Sequence, residues 1–231
     1  MERFRDRREA GRELARRLLP YRDLDPVVLA LPRGGVPVGY EVARALGAPL
    51  DIVVVRKLGA PGQPELAIGA LVDGDDPQGV LNPDVVELLG VPAEYVRDEV
   101  ARQLAEIRRR EARYRGGRPR VPVGGRTAIV VDDGVATGAT VRAALRGLRR
   151  AAPRRLVLAL PVAPPDTARQ LRAEVDDLIC LRTPEPFIAV GRHYEDFSQP
   201  SDEEVVALLE EARRAAGAGA AEAAGPSADD S

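Results

Sequence analysis

The sequence is poor in the residues that most often make a reactive centre obvious. Among 231 residues there is one cysteine, Cys180, one histidine, His193, one lysine, Lys57, and no tryptophan. A single cysteine excludes an intrachain disulfide, and one cysteine with one histidine excludes a Cys/His zinc cluster. Cys180 sits in the apolar run LICL, where a buried, inert thiol is expected. No apolar run is long enough to span a bilayer, and the charged, amphipathic N-terminus MERFRDRREAGRELARRLL lacks the apolar core of a signal peptide. A soluble, cytoplasmic protein with no membrane partner is expected. The formal net charge of −2 gives no overall electrostatic case for nucleic acid.

What is present is a regular alternation. Short apolar runs of strand length occur at Val27–Leu31, Leu50–Val55, Thr127–Val131 and Leu156–Pro161 and in VDDLICL, with helical patterns between them. Fully apolar strands alternating with helices predict an α/β fold, a mostly parallel, Rossmann-like sheet with helices on both faces. Pro83 to about Tyr114 reads as a helical insertion, spanning roughly 83–115 and acting as a cap, a dimer surface or both. Residues 1–216 are expected to form one domain and 217–231 a disordered tail. Ser201 with Glu204 reads as a capping box opening the last helix.

In such sheets ligands bind beyond the carboxyl ends of strands, which singles out three loops. IVVDDGVATGAT, Ile129–Thr140, ends an apolar run in two adjacent carboxylates and a small-residue loop. Backbone N–H groups from Gly134 to Thr140, at the start of a helix, suit a phosphate monoester. Asp132 and Asp133 suit vicinal hydroxyls of the same ligand, so a sugar phosphate satisfies both halves. The acids also fit a Walker B pattern, but the lone Lys57 sits between Arg56 and Leu58, so no Walker A loop exists. In PRGGVPVG, Gly34 and Gly35 permit close backbone approach and Arg33 offers a bidentate fork. RKLGAPGQPE places Arg56 and Lys57 before a Gly/Pro-rich stretch read as a mobile lid.

Together these loops resemble the type I phosphoribosyltransferases. IVVDDGVATGAT resembles the family motif for phosphoribosyl pyrophosphate (PRPP), LPRGG its pyrophosphate loop and RKLGAPGQPELAIGAL its flexible loop. The closing PEPFIAVGRHYEDFSQ looks like that of a bacterial subgroup with no settled substrate. The resemblance implies the family's fold with a small C-terminal hood, and a magnesium-dependent enzyme that transfers the phosphoribosyl group of PRPP to a nitrogen acceptor. A nucleobase is the default acceptor and pyrophosphate the product. It implies ribose binding by Asp132 and Asp133, which also face Mg2+ indirectly. It implies phosphate binding by Gly134, Val135, Ala136, Thr137, Gly138, Ala139 and Thr140. Arg33, Gly34, Gly35, Arg56 and Lys57 would bind pyrophosphate, with Lys57, Arg56 and Glu65 the catalytic candidates.

Two departures stand out. Gly134 replaces an apolar residue and is expected to loosen the loop. Ala136 stands where 6-oxopurine enzymes carry an aspartate, which disfavours an enzyme of that kind. His193, Phe187 and Tyr194 are candidates for the hood over the acceptor. The basic run Arg108–Arg120 reads first as a solvated helix end. The alternative function is a PRPP- or nucleotide-sensing regulator on the same fold, using that run to contact RNA. A homodimer is left open.

Overall fold

The computed structural model describes residues 3–74 and 78–223. Its centre is a five-stranded, all-parallel sheet built from β1 (Pro26–Ala30), β2 (Leu50–Ile52), β6 (Thr127–Val131), β7 (Arg155–Val162) and β8 (Asp177–Arg182) in the order β2-β1-β6-β7-β8. The alternation of side chains along each strand sorts the core into two layers. Val28, Ala30, Ile129, Val131, Val157 and Ala159 face one apolar cluster. That cluster includes residues of α1 (Arg7–Leu18), α2 (Gly35–Leu46) and α7 (Asp202–Ala223). Val27, Leu29, Ala128, Val130, Leu156 and Leu158 face the other, against α5 (Ala139–Arg150) and α6 (Pro165–Arg172). A strand buried on both faces has no polar side to show, which is why these runs are apolar throughout.

The stretch expected to be a mobile lid is instead structured. β3 (Val55–Ala60) and β4 (Gln63–Val72) form an antiparallel hairpin, extended by β5 (Gln78–Leu81). Only Pro61 and Gly62 form the turn, and Gly62 has φ of 69°. Leu58 and Ala60 are buried. GDDPQG, whose composition reads as a turn, lies partly outside the described residues.

The insertion is α3 (Pro83–Leu88) and α4 (Ala93–Arg115), and α4 braces the hairpin. The Tyr95 hydroxyl donates to Gly59 O at 3.0 Å, and Arg56 Nε donates to Gln103 Oε1 at 3.0 Å. FIAV, apolar enough to read as a short strand, is not one; a 3-10 turn begins on its last residue and spans Val190–His193. The capping box forms as expected, with Glu204 N donating to Ser201 Oγ at 3.1 Å and Ser201 N to Glu204 Oε2 at 2.6 Å. Helix α7 runs past Gly217 to Ala223, into the segment expected to be disordered; residues 224–231 lie outside the described residues.

The basic run is mostly turned to internal use. Arg115 is buried and bonds Asp51 Oδ1 at 2.9 Å, Asp73 Oδ2 at 3.3 Å and Ile52 O at 2.8 Å. Arg120 pairs with Asp73 at 3.2 Å and with Glu111. Arg109, Arg110 and Arg113 also pair with carboxylates. Burial raises the pKa of Asp73, and the two guanidiniums oppose that shift. The Arg115 network ties the end of the insertion to the core sheet and the hairpin. Removing one partner of a buried pair leaves charge stranded, so Arg115→Ala is expected to cost about 3–5 kcal/mol. Urea unfolding of the variant beside the wild type measures it.

Candidate active site

β1 and β6 are adjacent and parallel, with Ala30 opposite Val131, so their carboxyl-end loops emerge side by side. This is where the order of connections reverses, the usual ligand crevice of an open α/β sheet. Leu31 N donates to Val131 O at 2.9 Å, continuing the pairing past the strand ends. The first loop then lies directly on the acids. A Cβ on Gly34 would fall 2.0 Å from Asp133 Oδ2, and one on Gly35 would fall 2.7 Å from Val131 O. No side chain fits at either position, so the glycine pair is what allows the expected pyrophosphate loop to touch the acid pair. The Pro32–Arg33 peptide is cis.

Asp132 and Asp133 are held by segments far away in sequence. Arg7, in the first turn of α1, donates from Nε to Asp133 Oδ2 at 2.7 Å, with side-chain exposures of only 8% and 13%. Its Nη1 donates to Ser198 O at 2.7 Å, and its guanidinium lies 4.0 Å from the Phe197 ring centroid. The Tyr194 hydroxyl donates to Asp133 O at 2.5 Å. Phe4, Tyr194 and Phe197 pack in series as tilted rings, at 5.4 and 5.1 Å between centroids. The chain start and the C-terminal hood thus close on the acids together. Burial and then the charge of Asp133 push the Asp132 carboxyl well above the usual range. Burial raises Asp133 too, against the pull of Arg7.

Gly134 does not loosen its loop. Its φ is 149°, and a Cβ there would meet Val190 Cγ1 at 2.6 Å and Val162 Cγ1 at 2.8 Å. The hood and β7 clamp it, so the glycine is required by crowding. Val135 is buried and its N–H donates to Val162 O at 3.1 Å. Ala136 O accepts from the Thr167 hydroxyl at 2.8 Å. Gly138, with φ of 73°, is the N-cap of α5, and no side chain caps the helix. Its first-turn N–H groups are left for another acceptor.

Thr137, Ala139 and Thr140 line a cavity of roughly 550 Å3 together with Lys57. Arg142 and Arg146, four residues apart on α5, line it too. Arg142 Nε is buried with no hydrogen-bond partner, 4.0 Å from Glu174. These two arginines were missed from the sequence, although their spacing on the helix that opens at the phosphate loop was the available signal. Arg56 and Lys57 part company. As neighbours on a strand they face opposite ways: Lys57 lines the cavity and Arg56 bonds α4. Arg33 also points elsewhere, 3.7 Å from Asp202 on α7. Glu65 lies in β4, and its side chain is outside the described residues. Phe187 stacks on His193 at 5.2 Å, and His193 Nε2 is buried without a partner. Cys180 is partly buried, its pKa pushed up to about 11 by burial.

Among the described residues no group of three His, Cys, Asp or Glu could hold a metal ion. The acid pair supplies two carboxylates, one already paired with Arg7. The donor set therefore fits Mg2+ only as an ion carried in on the ligand's own oxygens. No helix among the described residues is long and apolar enough to cross a membrane.

The phosphoribosyl transferase domain model matches residues 5–195. The chain belongs to the phosphoribosyl transferase family. Two Mycobacterium tuberculosis proteins, from strains CDC 1551 and H37Rv and provisionally named phosphoribosyl transferases, are each 50% identical over 225 residues. The match covers 97% of this chain and 50% of each relative, so this phosphoribosyl transferase domain spans about half the length of the curated relatives it matches. The crystal structure of TT1426 from Thermus thermophilus is 48% identical, with a TM-score of 0.78, covering 90% of this chain and 98% of that one.

The acid pair generates two predictions. Both aspartates bind protons more tightly folded than unfolded. Their contribution to stability is therefore fully present below the ordinary carboxylate pKa of about 3.9 and is lost as pH rises through the raised values. Asp132→Asn keeps the acceptor for Asp133 N (2.9 Å in the wild type) and removes the charge. It is expected to raise Tm at pH 7 by about 2–4 °C, the equivalent of ~1 kcal/mol in a chain this size, with the gain vanishing near pH 4. Thermal melts across that pH range check it. Arg7→Gln strands Asp133 and is expected to lose about 3 kcal/mol at pH 7, read from urea unfolding.

Proposed function

We propose that the protein transfers the phosphoribosyl group of PRPP to a ring nitrogen, with release of pyrophosphate. The observation that carries this reading is the seating of Gly34 and Gly35 on Asp133 and Asp132, which sets an anion loop against a diol-binding pair. In this reading the 5-phosphate sits at the uncapped start of α5, from Gly134 to Thr140, with the Thr137 and Thr140 hydroxyls and Lys57 beside it. Arg142 and Arg146 complete that wall. The ribose hydroxyls donate to Asp132 and Asp133. The amide of Gly34 faces the pyrophosphate, while that of Gly35 donates within the loop to Leu31 O at 3.0 Å.

The bond from the anomeric carbon to pyrophosphate oxygen breaks ahead of bond formation to the acceptor nitrogen, and positive charge builds on the ribose. The adjacent carboxylates favour that charge, while backbone N–H groups and Lys57 favour the leaving anion; both effects grow in a site closed to water. The acceptor nitrogen gives up its proton, and Glu65 on the hairpin is the candidate to take it. Mg2+, when bound with PRPP, would neutralise part of the pyrophosphate charge, with Asp132 and Asp133 facing it through the ribose. Ala136 leaves no carboxylate for the base in the phosphate loop, which favours an acceptor other than a 6-oxopurine.

The regulator reading loses two of the basic residues it would use, since Arg115 and Arg120 turn inward onto Asp51, Asp73 and Glu111. Calorimetric titration of PRPP is expected to show binding that requires magnesium and drops by about 100-fold or more in Asp132→Asn/Asp133→Asn, the loss of two charged hydrogen-bond acceptors. Pyrophosphate release would then be followed across a set of nitrogen heterocycles. Absence of PRPP binding to the wild type sinks the proposal.

A further inference from the structure

The side chain of Arg33 leaves the crevice and enters a second cavity of roughly 230 Å3, between the pyrophosphate loop, α4 and the start of α7. Arg109, Arg110 and Arg113 line the same cavity, with Tyr114 and Asp202. Four guanidiniums converge on a space too small for a typical drug-sized ligand, since such sites run from about 300 Å3 upward. The acids around it are fewer. Glu106 holds Arg109 and Arg110 at 2.8 Å each. Asp202 is shared by Arg113 at 2.5 Å, Arg33 at 3.7 Å and the Tyr114 hydroxyl at 2.6 Å. Glu203 takes the second Arg113 nitrogen at 2.8 Å.

Three carboxylates thus face four arginines, and the pairs are open to solvent. The arginine side chains are 31–63% exposed. Exposed pairs are worth only about 0–1 kcal/mol each, so an incoming anion gives up little by displacing them. A single phosphate carries too few oxygens to engage four guanidinium forks; two or three linked phosphates carry enough for several bidentate contacts. Gly34 and Gly35 face the acid pair, whereas Arg33 faces α4 and α7. The cavity therefore adjoins the crevice through one loop but draws its lining from the insertion.

We propose that this arginine cavity binds a compact polyphosphate, an anion of two or more linked phosphates, separately from PRPP. The inference does not depend on the transferase reading and stands whether or not PRPP is turned over. It gives the insertion a ligand of its own.

The probe is inorganic tripolyphosphate, titrated calorimetrically into the full chain with and without saturating PRPP. Binding is expected to persist with PRPP present and in Asp132→Asn/Asp133→Asn. It is expected to weaken by about tenfold or more in Arg109→Gln/Arg110→Gln, the equivalent of ~1.4 kcal/mol. Glu106→Gln frees both of those arginines and should tighten binding severalfold. Arg109 and Arg110 lie outside the hydrophobic core, and a thermal melt verifies that their variant is folded. Adenosine triphosphate, offered in parallel, distinguishes a nucleotide's phosphate tail from free polyphosphate; equal affinity for the two still supports the site. Absence of tripolyphosphate binding, displacement by PRPP, or indifference to Arg109→Gln/Arg110→Gln overturns the proposal. Displacement would place the anion in the transfer site, and indifference would place it elsewhere on the surface.

Discussion

A guanidinium in the first turn of the first helix rests against a carboxylate 126 residues further along the chain. The arrangement of the crevice depends on that contact. Two adjacent aspartates at the end of a buried strand repel one another, and burial raises the cost of keeping both charged. Arg7 supplies a cation and is itself held by Ser198 O and the Phe197 ring. The two ends of the family domain are thereby drawn over the same point. The aromatic series of Phe4, Tyr194 and Phe197 is the apolar side of this closure. The bond from the Tyr194 hydroxyl to Asp133 O is its polar side.

The parts of the fold readable from sequence were those governed by local rules. Thr127–Val131 is a strand at its expected bounds, because a five-residue apolar run between turn residues leaves little choice. The capping box at Ser201 and Glu204 is a contact within one turn, and it forms. The hairpin was misread because Gly59, Pro61, Gly62 and Pro64 give β3 and β4 the composition of a loop. Their extended state is imposed from outside, by α4 bracing Gly59 and Arg56. The loops after β1 and β6 stood out by composition as candidate ligand loops. Their mutual contact did not, since it depends on which strands are neighbours. Arg7 left no local trace at all: among many arginines, only the folded chain distinguishes it. Gly134 was misjudged for the same reason, because Val190 and Val162 reach it from other segments.

The crevice holds its acids at a cost. Asp132 and Asp133 are buried next to each other, with raised pKa values that oppose folding at neutral pH. Natural sequences tolerate such a penalty where the destabilised group has work to do. The same logic separates the two arginine-rich regions of the insertion. Arg115 is enclosed and fully engaged, with the geometry of a structural tie. Arg109, Arg110 and Arg113 are half open and loosely compensated, with the geometry of exchangeable partners.

The close approach of Gly34 to Asp133 also constrains how this chain can drift. The two positions follow different strands and ask opposite things of their side chains: one must have none because the other has a carboxylate. A lineage that keeps Asp133 in its present pose on Arg7 cannot fill position 34; a side chain there requires the carboxylate to turn away or be replaced. The two loops are therefore coupled in how they can change. A descendant that has gained bulk at position 34 should have moved or lost the carboxylate at 133, and with it the hold that Arg7 has on the crevice.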